Sequence, residues 1–235
     1  MTEALYMKDC YLKEFEAKIT GAGGKSIELD KTAFYPSSGG QPEDHGKIIS
    51  SSGEYSVVFV RKDKGRIIHE VDREGLEKGE TVKSVVDWER RYLFMRYHTA
   101  AHILSGTVNK KTGAEITGNQ ISAEKARIDF NLENFDRRQI REFEEESNRI
   151  INESRDVEIR FLPREEAMAI PAIVKLAKGL PEAIKTIRVV DIKGFDQQAC
   201  GGTHVKNTSE IKGIRIINAE NKGKSNRRVY FTLEN

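Results

Sequence analysis

Two pairs of side chains in this 235-residue sequence have the types and spacing of metal ligands. His98 and His102 are four residues apart in a segment with helical periodicity, so both imidazoles lie on one helix face with Cβ atoms about 5–6 Å apart. Cys200 and His204 are also four residues apart, in a loop that two glycines make adaptable. One thiolate and three imidazoles suit tetrahedral zinc, so these residues predict one zinc ion per chain.

The predicted ion has two interpretations. Four protein ligands close a tetrahedral shell, which is typical of structural zinc. An ion with one weak or displaced ligand is instead a Lewis acid or a source of hydroxide. Residue 99 is Thr, so the HExxH helix of zinc proteases, with its general-base Glu, is absent from this position. The sequence therefore favours an activated ester over a peptide as substrate if the ion is catalytic.

A second unusual stretch, residues 32–46, concentrates aromatic, proline and glycine residues. Gly39 and Gly40 permit positive φ and a close approach of the backbone. With the hydroxyl of Thr32, such a loop predicts a small pocket for a polar ligand. The alternative is a plain connection between two barrel strands. The stretch lacks the Lys-Ser/Thr of a P-loop, so no nucleotide cofactor is expected.

The elements that must position these residues change in character near Trp88. Residues 1–87 contain short segments rich in β-branched and aromatic residues between glycine-containing turns, which predicts a small β-barrel or sandwich. Residues 88–235 mix strands with helical periodicity over 88–111 and 135–153, with Asn134 as a possible N-cap of the second helix. The expected fold class is α+β, with a β-barrel domain at 1–87 and a zinc-containing α+β domain at 88–235.

The composition excludes several classes of protein. Apolar residues make up 37% of the chain, and 39 basic residues nearly balance 37 acidic ones, which is typical of a globular protein rather than a disordered one. The longest apolar run is far short of the roughly 20 residues of a membrane span, so no membrane partner is expected. Two cysteines, Cys10 and Cys200, cannot build a disulfide framework, which favours a reduced, cytoplasmic compartment.

Together the motifs resemble those of a known family. The pieces that carry the resemblance are residues 32–46, VDWERR at 86–91, HTAAHIL at 98–104, RIDF at 127–130, CGGTHV at 200–205 and the RR pair at 227–228. Their order and spacing, over essentially the whole chain, resemble the editing module of alanyl-tRNA synthetase, and in particular the freestanding AlaX proteins of medium length. A related zinc-site module occurs in threonyl-tRNA synthetase.

This resemblance implies an N-terminal β-barrel and an α+β editing domain of the threonyl/alanyl-tRNA synthetase type. It implies zinc at His98, His102, Cys200 and His204, and hydrolysis in trans of mischarged tRNA(Ala) carrying serine or glycine. It also implies a polar side chain early in the strand before RIDF. This chain has Ile116 there. Gln120, with Asn119 beside it, is therefore the candidate for the catalytic side chain that positions the water or the amine of the amino acid.

A pocket that selects serine over alanine needs a partner for the serine hydroxyl, and a stranded partner costs about 1–3 kcal/mol when alanine enters. We predict Thr32 in this role, with Gly39 and Gly40 shaping the pocket. Phosphate contacts are expected from basic residues on the histidine helix and near the C-terminus: Arg90, Arg91, Arg96, Lys222, Lys224, Arg227 and Arg228. Two alternatives stay open: a zinc hydrolase for another small ester or amide, and a zinc-stabilised RNA-binding protein without catalysis.

Overall fold

The computed structural model describes residues 2–170, 173 and 184–234. The chain forms two compact units that divide between Phe94 and Met95. Among the described helices, none combines the length and the apolar character that crossing a membrane requires.

The first unit is built around a closed barrel. Its elements are β1 (Glu3–Ala4), a 3₁₀ helix (Leu5–Met7), β2 (Glu14–Gly23), β3 (Ser26–Leu29), β4 (Lys31–Thr32), β5 (Gly46–Ser50), β6 (Gly53–Asp63), β7 (Arg66–Val71) and β8 (Thr81–Val86). Six strands close in the order β2-β3-β7-β6-β5-β8, and every neighbouring pair is antiparallel. The prediction of a small β-barrel is confirmed.

The barrel interior follows from alternation of buried and exposed residues, which is clearest in β2 and β8. In β2, Phe15, Ala17 and Ile19 are buried while the residues between them are exposed, because successive side chains of a strand point to opposite faces. β8 repeats the pattern with Val82 and Val86 inward. The apolar side chains of all six strands thus meet in one core.

A long helix, α1 (Trp88–Thr112), carries the predicted histidine pair. It ends where the sequence predicts. Gly113 takes a left-handed φ of 75° and donates its N–H to the Asn109 carbonyl at 2.7 Å, which is the usual glycine stop of a helix.

The second unit is α+β, as expected. After α1 come β9 (Ile116–Ile121), β10 (Ala126–Phe130), α2 (Arg137–Asn152), β11 (Val157–Pro163), α3 (Arg164–Met168), β12 (Thr186–Ile192), β13 (Asp196–Ala199), a 3₁₀ helix (Thr208–Ile211), β14 (Ile214–Asn221) and β15 (Arg227–Leu233). The strands form two antiparallel sheets, ordered β14-β15-β10-β9 and β11-β12-β13.

The start of α2 corrects one prediction. The N-cap is Asp136 rather than Asn134: its carboxylate accepts the Gln139 N–H, and the Gln139 side chain accepts the Asp136 N–H. This reciprocal capping box satisfies two orphan helix donors, which Asn134 is too early in the chain to do. Asn134 instead accepts a hydrogen bond from Arg227.

Candidate metal centre

The four predicted ligands converge in the second unit. The ligand atoms of His98, His102, Cys200 and His204 all lie within 4.8 Å of one another. Cys200 Sγ is 3.5 Å from His98 Nε2 and 3.3 Å from His204 Nε2. Tetrahedral zinc, with bonds of about 2.0–2.3 Å, separates a sulfur and a nitrogen ligand by about 3.5 Å. The donor set and its spacing therefore fit a zinc ion.

The three imidazoles are held in the neutral form that binds a metal. All three are buried, and this burial lowers the pKa of His98 to about 4 and the pKa values of His102 and His204 well below their ordinary range. The positive charge of Arg188 lowers all three pKa values further. At neutral pH the ring nitrogens consequently keep free lone pairs.

Thr99, which replaces the protease glutamate, fixes the tautomer of one ligand. Its hydroxyl donates its only proton to the Met95 carbonyl at 3.0 Å, so its oxygen must accept from His204 Nδ1 at 3.1 Å. His204 then carries its proton on Nδ1 and turns the Nε2 lone pair towards Cys200. Outer partners of this kind orient the ligands of metal sites.

Arg188, on β12, secures the cysteine loop. Its Nη1 donates to the Cys200 carbonyl at 2.5 Å, and the Cys200 N–H donates to the Arg188 carbonyl at 3.1 Å. The Gly202 N–H points at Cys200 Sγ at 3.4 Å. These contacts hold the backbone of Cys200 and orient its sulfur, which as a thiolate is a zinc ligand.

The predicted pocket residue Thr32 lies in the barrel unit and is fully buried. His69 Nδ1 faces the Ile27 carbonyl at 3.2 Å and therefore holds the ring proton, so Nε2 accepts the Thr32 hydroxyl at 2.9 Å. The Phe34 N–H donates to the same oxygen at 3.1 Å. One lone pair of the hydroxyl oxygen remains after the Phe34 N–H is bonded, and the role of Thr32 in a pocket stays a prediction.

Gly39 and Gly40 form the tip of a tight turn. Their φ angles of 58° and 82° place both in the left-handed region, and Ser38 and Gln41 exchange backbone hydrogen bonds of 3.1 and 3.0 Å across them. A two-residue turn with positive φ at both positions is the type that favours glycine. Their backbone conformation thus explains the glycine pair, and their pocket role stays a prediction.

Gln120 does not join the metal ligands. It pairs with Arg127 across β9 and β10, and its amide oxygen accepts from Arg127 Nε at 3.2 Å. Tyr97 of α1 packs against Phe231, which pairs with Ala126 on the opposite, buried face of this sheet. Because side chains alternate, Gln120 points away from the helix that carries His98 and His102.

Two of the predicted phosphate-binding arginines are structural residues. Arg91 is completely buried; its Nε donates to both carboxylate oxygens of Asp44 at 2.9 Å, and its Nη1 donates to the Cys10 carbonyl at 3.0 Å. Arg227 is 6% exposed and donates to Asn221 Oδ1 and the Gly223 carbonyl, which closes the β14–β15 hairpin. Neither guanidinium is available to a phosphate, which corrects the prediction.

The other predicted basic residues differ in how strongly they are held. Arg90 Nε donates to the Glu43 carbonyl at 3.0 Å, and Arg96 Nη2 donates to the Ile211 and Glu234 carbonyls at 2.9 and 3.0 Å. Arg228 forms a two-bond pair with Asp129, which raises the pKa of Arg228 and lowers that of Asp129. Lys222 pairs with Glu220 at 2.7 Å. Lys224 is exposed at the hairpin tip.

Thr99 and Arg188 are the residues around the ligands that sequence reasoning missed. The sequence could have indicated a role for Thr99, since it adjoins His98 and replaces the glutamate of the protease motif. The sequence does not indicate a role for Arg188, because this residue is twelve positions from Cys200 in the chain. It reaches Cys200 only through the pairing of β12 with the following strand.

Two family models match the chain. The model described as the threonyl and alanyl tRNA synthetase second additional domain matches residues 187–230, which include Cys200 and His204. The model described as class II (A) tRNA synthetases matches residues 2–90, most of the barrel unit.

Curated relatives resemble the chain over its full length. A protein of Methanosarcina barkeri named alanyl-tRNA editing protein AlaX-M is 49% identical, with 99% of each chain covered. A protein of the same name in Saccharolobus solfataricus is 48% identical, with 100% of each covered. The alanine–tRNA ligase of Ignicoccus hospitalis is 41% identical over 92% of this chain but only 24% of its own length.

Proposed function

This chain belongs to the AlaX-M family of alanyl-tRNA editing proteins, and on that premise we propose that it is a zinc-dependent hydrolase that deacylates mischarged Ser-tRNA(Ala) and Gly-tRNA(Ala) in trans. The observation that carries the proposal is the convergence of one thiol and three neutral imidazoles within 4.8 Å. A zinc ion held there would act as a Lewis acid and lower the pKa of a bound water.

The residues around the ligands support an ordered centre. Thr99 orients His204, and Arg188 holds the backbone of Cys200. Such outer contacts preorganise a site before its ligand arrives, which reduces the free energy spent on ordering during the reaction. The chain itself thus supplies four ligands, the tautomer of His204 and the burial that keeps the three imidazoles neutral.

Selection of serine is assigned to Thr32 in this proposal. The hydroxyl proton of Thr32 is committed to His69, so its oxygen can only accept a further hydrogen bond. It would accept one from a seryl hydroxyl, and an alanyl methyl would leave that acceptor unmatched. We expect Thr32→Val to lose about tenfold to a hundredfold of its preference for Ser-tRNA(Ala) over Ala-tRNA(Ala). Thr32→Ser, which keeps the hydroxyl, is the matched control.

Binding of tRNA is assigned to the hairpin between β14 and β15, where Lys222 and Lys224 are exposed. Each lysine that contacts a phosphate adds about one to the slope of log binding constant against log salt. The double variant Lys222→Ala/Lys224→Ala should therefore bind more weakly and with a shallower slope. Lys62→Ala/Lys64→Ala, which removes two exposed lysines of the barrel unit, should leave both quantities unchanged.

Deacylation assays with purified protein test the function directly. The substrates are Ser-tRNA(Ala), Gly-tRNA(Ala) and Ala-tRNA(Ala), each before and after metal removal by a chelator and after zinc is restored. We expect the first two to be hydrolysed only by the zinc-loaded protein. Hydrolysis of Ser-tRNA(Ser) at the same rate as Ser-tRNA(Ala) would indicate a zinc hydrolase of another class.

The closed four-ligand set favours one alternative, a zinc-stabilised tRNA-binding protein without catalysis. Circular dichroism recorded beside the assay separates the two functions. If the chelator unfolds the protein, and the zinc-loaded protein binds tRNA(Ala) but hydrolyses none of the three substrates, the alternative is correct and the proposed hydrolase is not.

A further inference from the structure

Gly106 lies inside the helix that carries the first two ligands, where glycine is an unfavourable residue. Its φ is not positive, so the backbone conformation does not require glycine. A close contact explains it instead: a Cβ at this position would lie 2.9 Å from Cε1 and 3.1 Å from Cζ of Phe195. The missing side chain therefore leaves a notch on α1, and the ring of Phe195 occupies it.

A second residue of α1 also binds Phe195. Lys110 is one helical turn beyond Gly106, and its Nζ lies 4.1 Å from the centroid of the Phe195 ring. The same ammonium group donates to the Phe195 carbonyl at 2.5 Å. A cation over an aromatic face is attracted to it, so both the ring and the main chain of Phe195 are held against the helix.

The turn between β12 and β13 fixes the position of Phe195. The Phe195 N–H donates to the Ile192 carbonyl at 2.9 Å, and Gly194, the third residue of this turn, has a φ of 67°. Glycine is the residue that tolerates a positive φ at the third position of a turn. Arg155 Nη1 donates to the Lys193 carbonyl at 2.8 Å and holds the turn from outside.

Strand β13 connects Phe195 to the metal ligand Cys200. The strand pairs with β12 from Asp196 to Ala199, and the Cys200 N–H continues the pairing to the Arg188 carbonyl at 3.1 Å. Because the main chain is hydrogen-bonded along this whole length, a displacement of the hairpin at Phe195 also displaces Cys200.

The two ends of this segment contact the same helix. Cys200 Sγ is 3.5 Å from His98 Nε2 at one end, and Phe195 fills the notch at Gly106 at the other. From His98 to Gly106 the helix rises about 12 Å. From Phe195 to Cys200 an extended chain covers about 16–17 Å, which is a comparable length. The hairpin is thus joined to the histidine helix by a contact that involves no metal ligand.

We propose that Phe195, seated in the notch at Gly106, is a positioning residue of the metal centre: it docks the β12–β13 hairpin on α1 so that Cys200 lies beside His98 and His102 before zinc binds. This inference rests on the zinc site of the proposed function and deepens it. Without the docking, zinc would have to order two separate parts of the chain, and that loss of conformational freedom would weaken its binding.

Zinc affinity, measured by competition with a chromophoric chelator, tests the docking from the helix side. Gly106→Leu fills the notch and should weaken zinc binding about tenfold, and Gly106→Ala should have a smaller effect. Both replacements favour a helix more than glycine does, so weaker binding would not come from a weaker α1. Lys111→Leu, which adds a leucine at an exposed position of the same helix, should bind zinc as wild type.

Phe195→Ala tests the same contact from the hairpin side. The ring is partly exposed, so we expect the variant to fold and to bind zinc about tenfold more weakly. The matched control is Phe161→Ala, which removes a 46% exposed ring from β11 of the same sheet and should bind as wild type. In Gly106→Leu/Phe195→Ala the notch is empty before the leucine enters, so the two losses should not add.

Asp136→Ala separates docking from overall stability, because it removes the cap of α2 and leaves the hairpin unchanged. It should lower the midpoint of thermal unfolding and keep the zinc affinity of wild type. If its affinity falls as far as that of Phe195→Ala, zinc binding only follows stability and the inference is wrong. A Phe195→Ala or Gly106→Leu variant that binds zinc within about twofold of wild type would also overturn it.

The outcomes distinguish this inference from the proposed function. Wild-type protein that binds no zinc contradicts both. Wild-type protein that binds zinc but hydrolyses no mischarged tRNA contradicts the proposed hydrolase, while weaker zinc binding by Phe195→Ala and Gly106→Leu still supports the docking. Active, zinc-loaded wild-type protein whose affinity none of these replacements changes overturns only the role of Phe195.

Discussion

The buried His69 makes the stability of the barrel unit depend on pH. Removal of its ring from water lowers its pKa from 6.5 to about 4, although the hydrogen bond to the Ile27 carbonyl partly opposes this. Between these values the unfolded chain binds a proton that the folded chain does not. The free energy of unfolding is therefore greatest above about pH 6.5 and falls as the pH drops towards 4. The fall attributable to His69 is about 2 kcal/mol between pH 7 and pH 5.

Urea unfolding checks this value in the full chain. Trp88 is the only tryptophan and lies in the same unit as His69, so its fluorescence reports on that unit. The comparison is wild type against His69→Gln at pH 7, 6 and 5. Gln cannot titrate but can accept the Thr32 hydroxyl. Subtracting the free energy of unfolding of one protein from that of the other cancels the contributions of the other titrating groups. Between pH 7 and pH 5 this difference should change by about 2 kcal/mol in favour of the variant.

Wild type and His69→Gln that lose the same free energy of unfolding over this pH range, with equal denaturant dependence, would contradict this prediction. Equal losses would mean that His69 is not held neutral by burial. A barrel that opens locally enough to hydrate the ring would produce that result, and hydrogen exchange of the β7 amides would then be fast at pH 5.

Three further outcomes follow from contacts of single side chains. Thr99→Val should weaken zinc binding by about 10–100-fold in a chelator competition, whereas Thr99→Ser should bind as wild type; equal affinities would remove Thr99 as the partner that orients His204. Asp44→Asn leaves Arg91 buried without its carboxylate and should cost about 3–5 kcal/mol of unfolding free energy, and adding Arg91→Met should recover part of it; a double variant no more stable than the single one contradicts this. Asp136→Ala should cost about 1 kcal/mol in thermal unfolding as the cap of α2 is lost, while Glu133→Ala, an exposed neighbour, should change little.

Local patterns made the ligands and the barrel predictable. The i, i+4 spacing of His98 and His102 depends only on helix geometry, and the pairs join in three dimensions as their chemistry suggests. The barrel strands alternate apolar and polar residues and are separated by glycine turns, so their positions follow from the sequence.

Long-range contacts decided what sequence reasoning could not predict. Arg91 looks like a surface cation until Asp44, 47 residues earlier, is placed beside it in the interior. Arg227 likewise depends on carbonyls and amides of the hairpin that precedes it. The short strand β13 carries Asp196 but consists mostly of polar residues, so it has no hydrophobic alternation to indicate a strand.

Closure of the barrel affects how the protein behaves at high concentration. Each of its six strands is bonded on both sides, so the N–H and C=O groups that could recruit a strand from another molecule are occupied. In the second unit, β9 ends the four-stranded sheet, and its exposed Asn119 and Gln120 give that border a polar character that discourages fibril-like stacking. Self-association through main-chain pairing, if it is forced by partial unfolding, should therefore begin at one of the edge strands of the second unit, which are β9, β14, β11 and β13, rather than in the barrel.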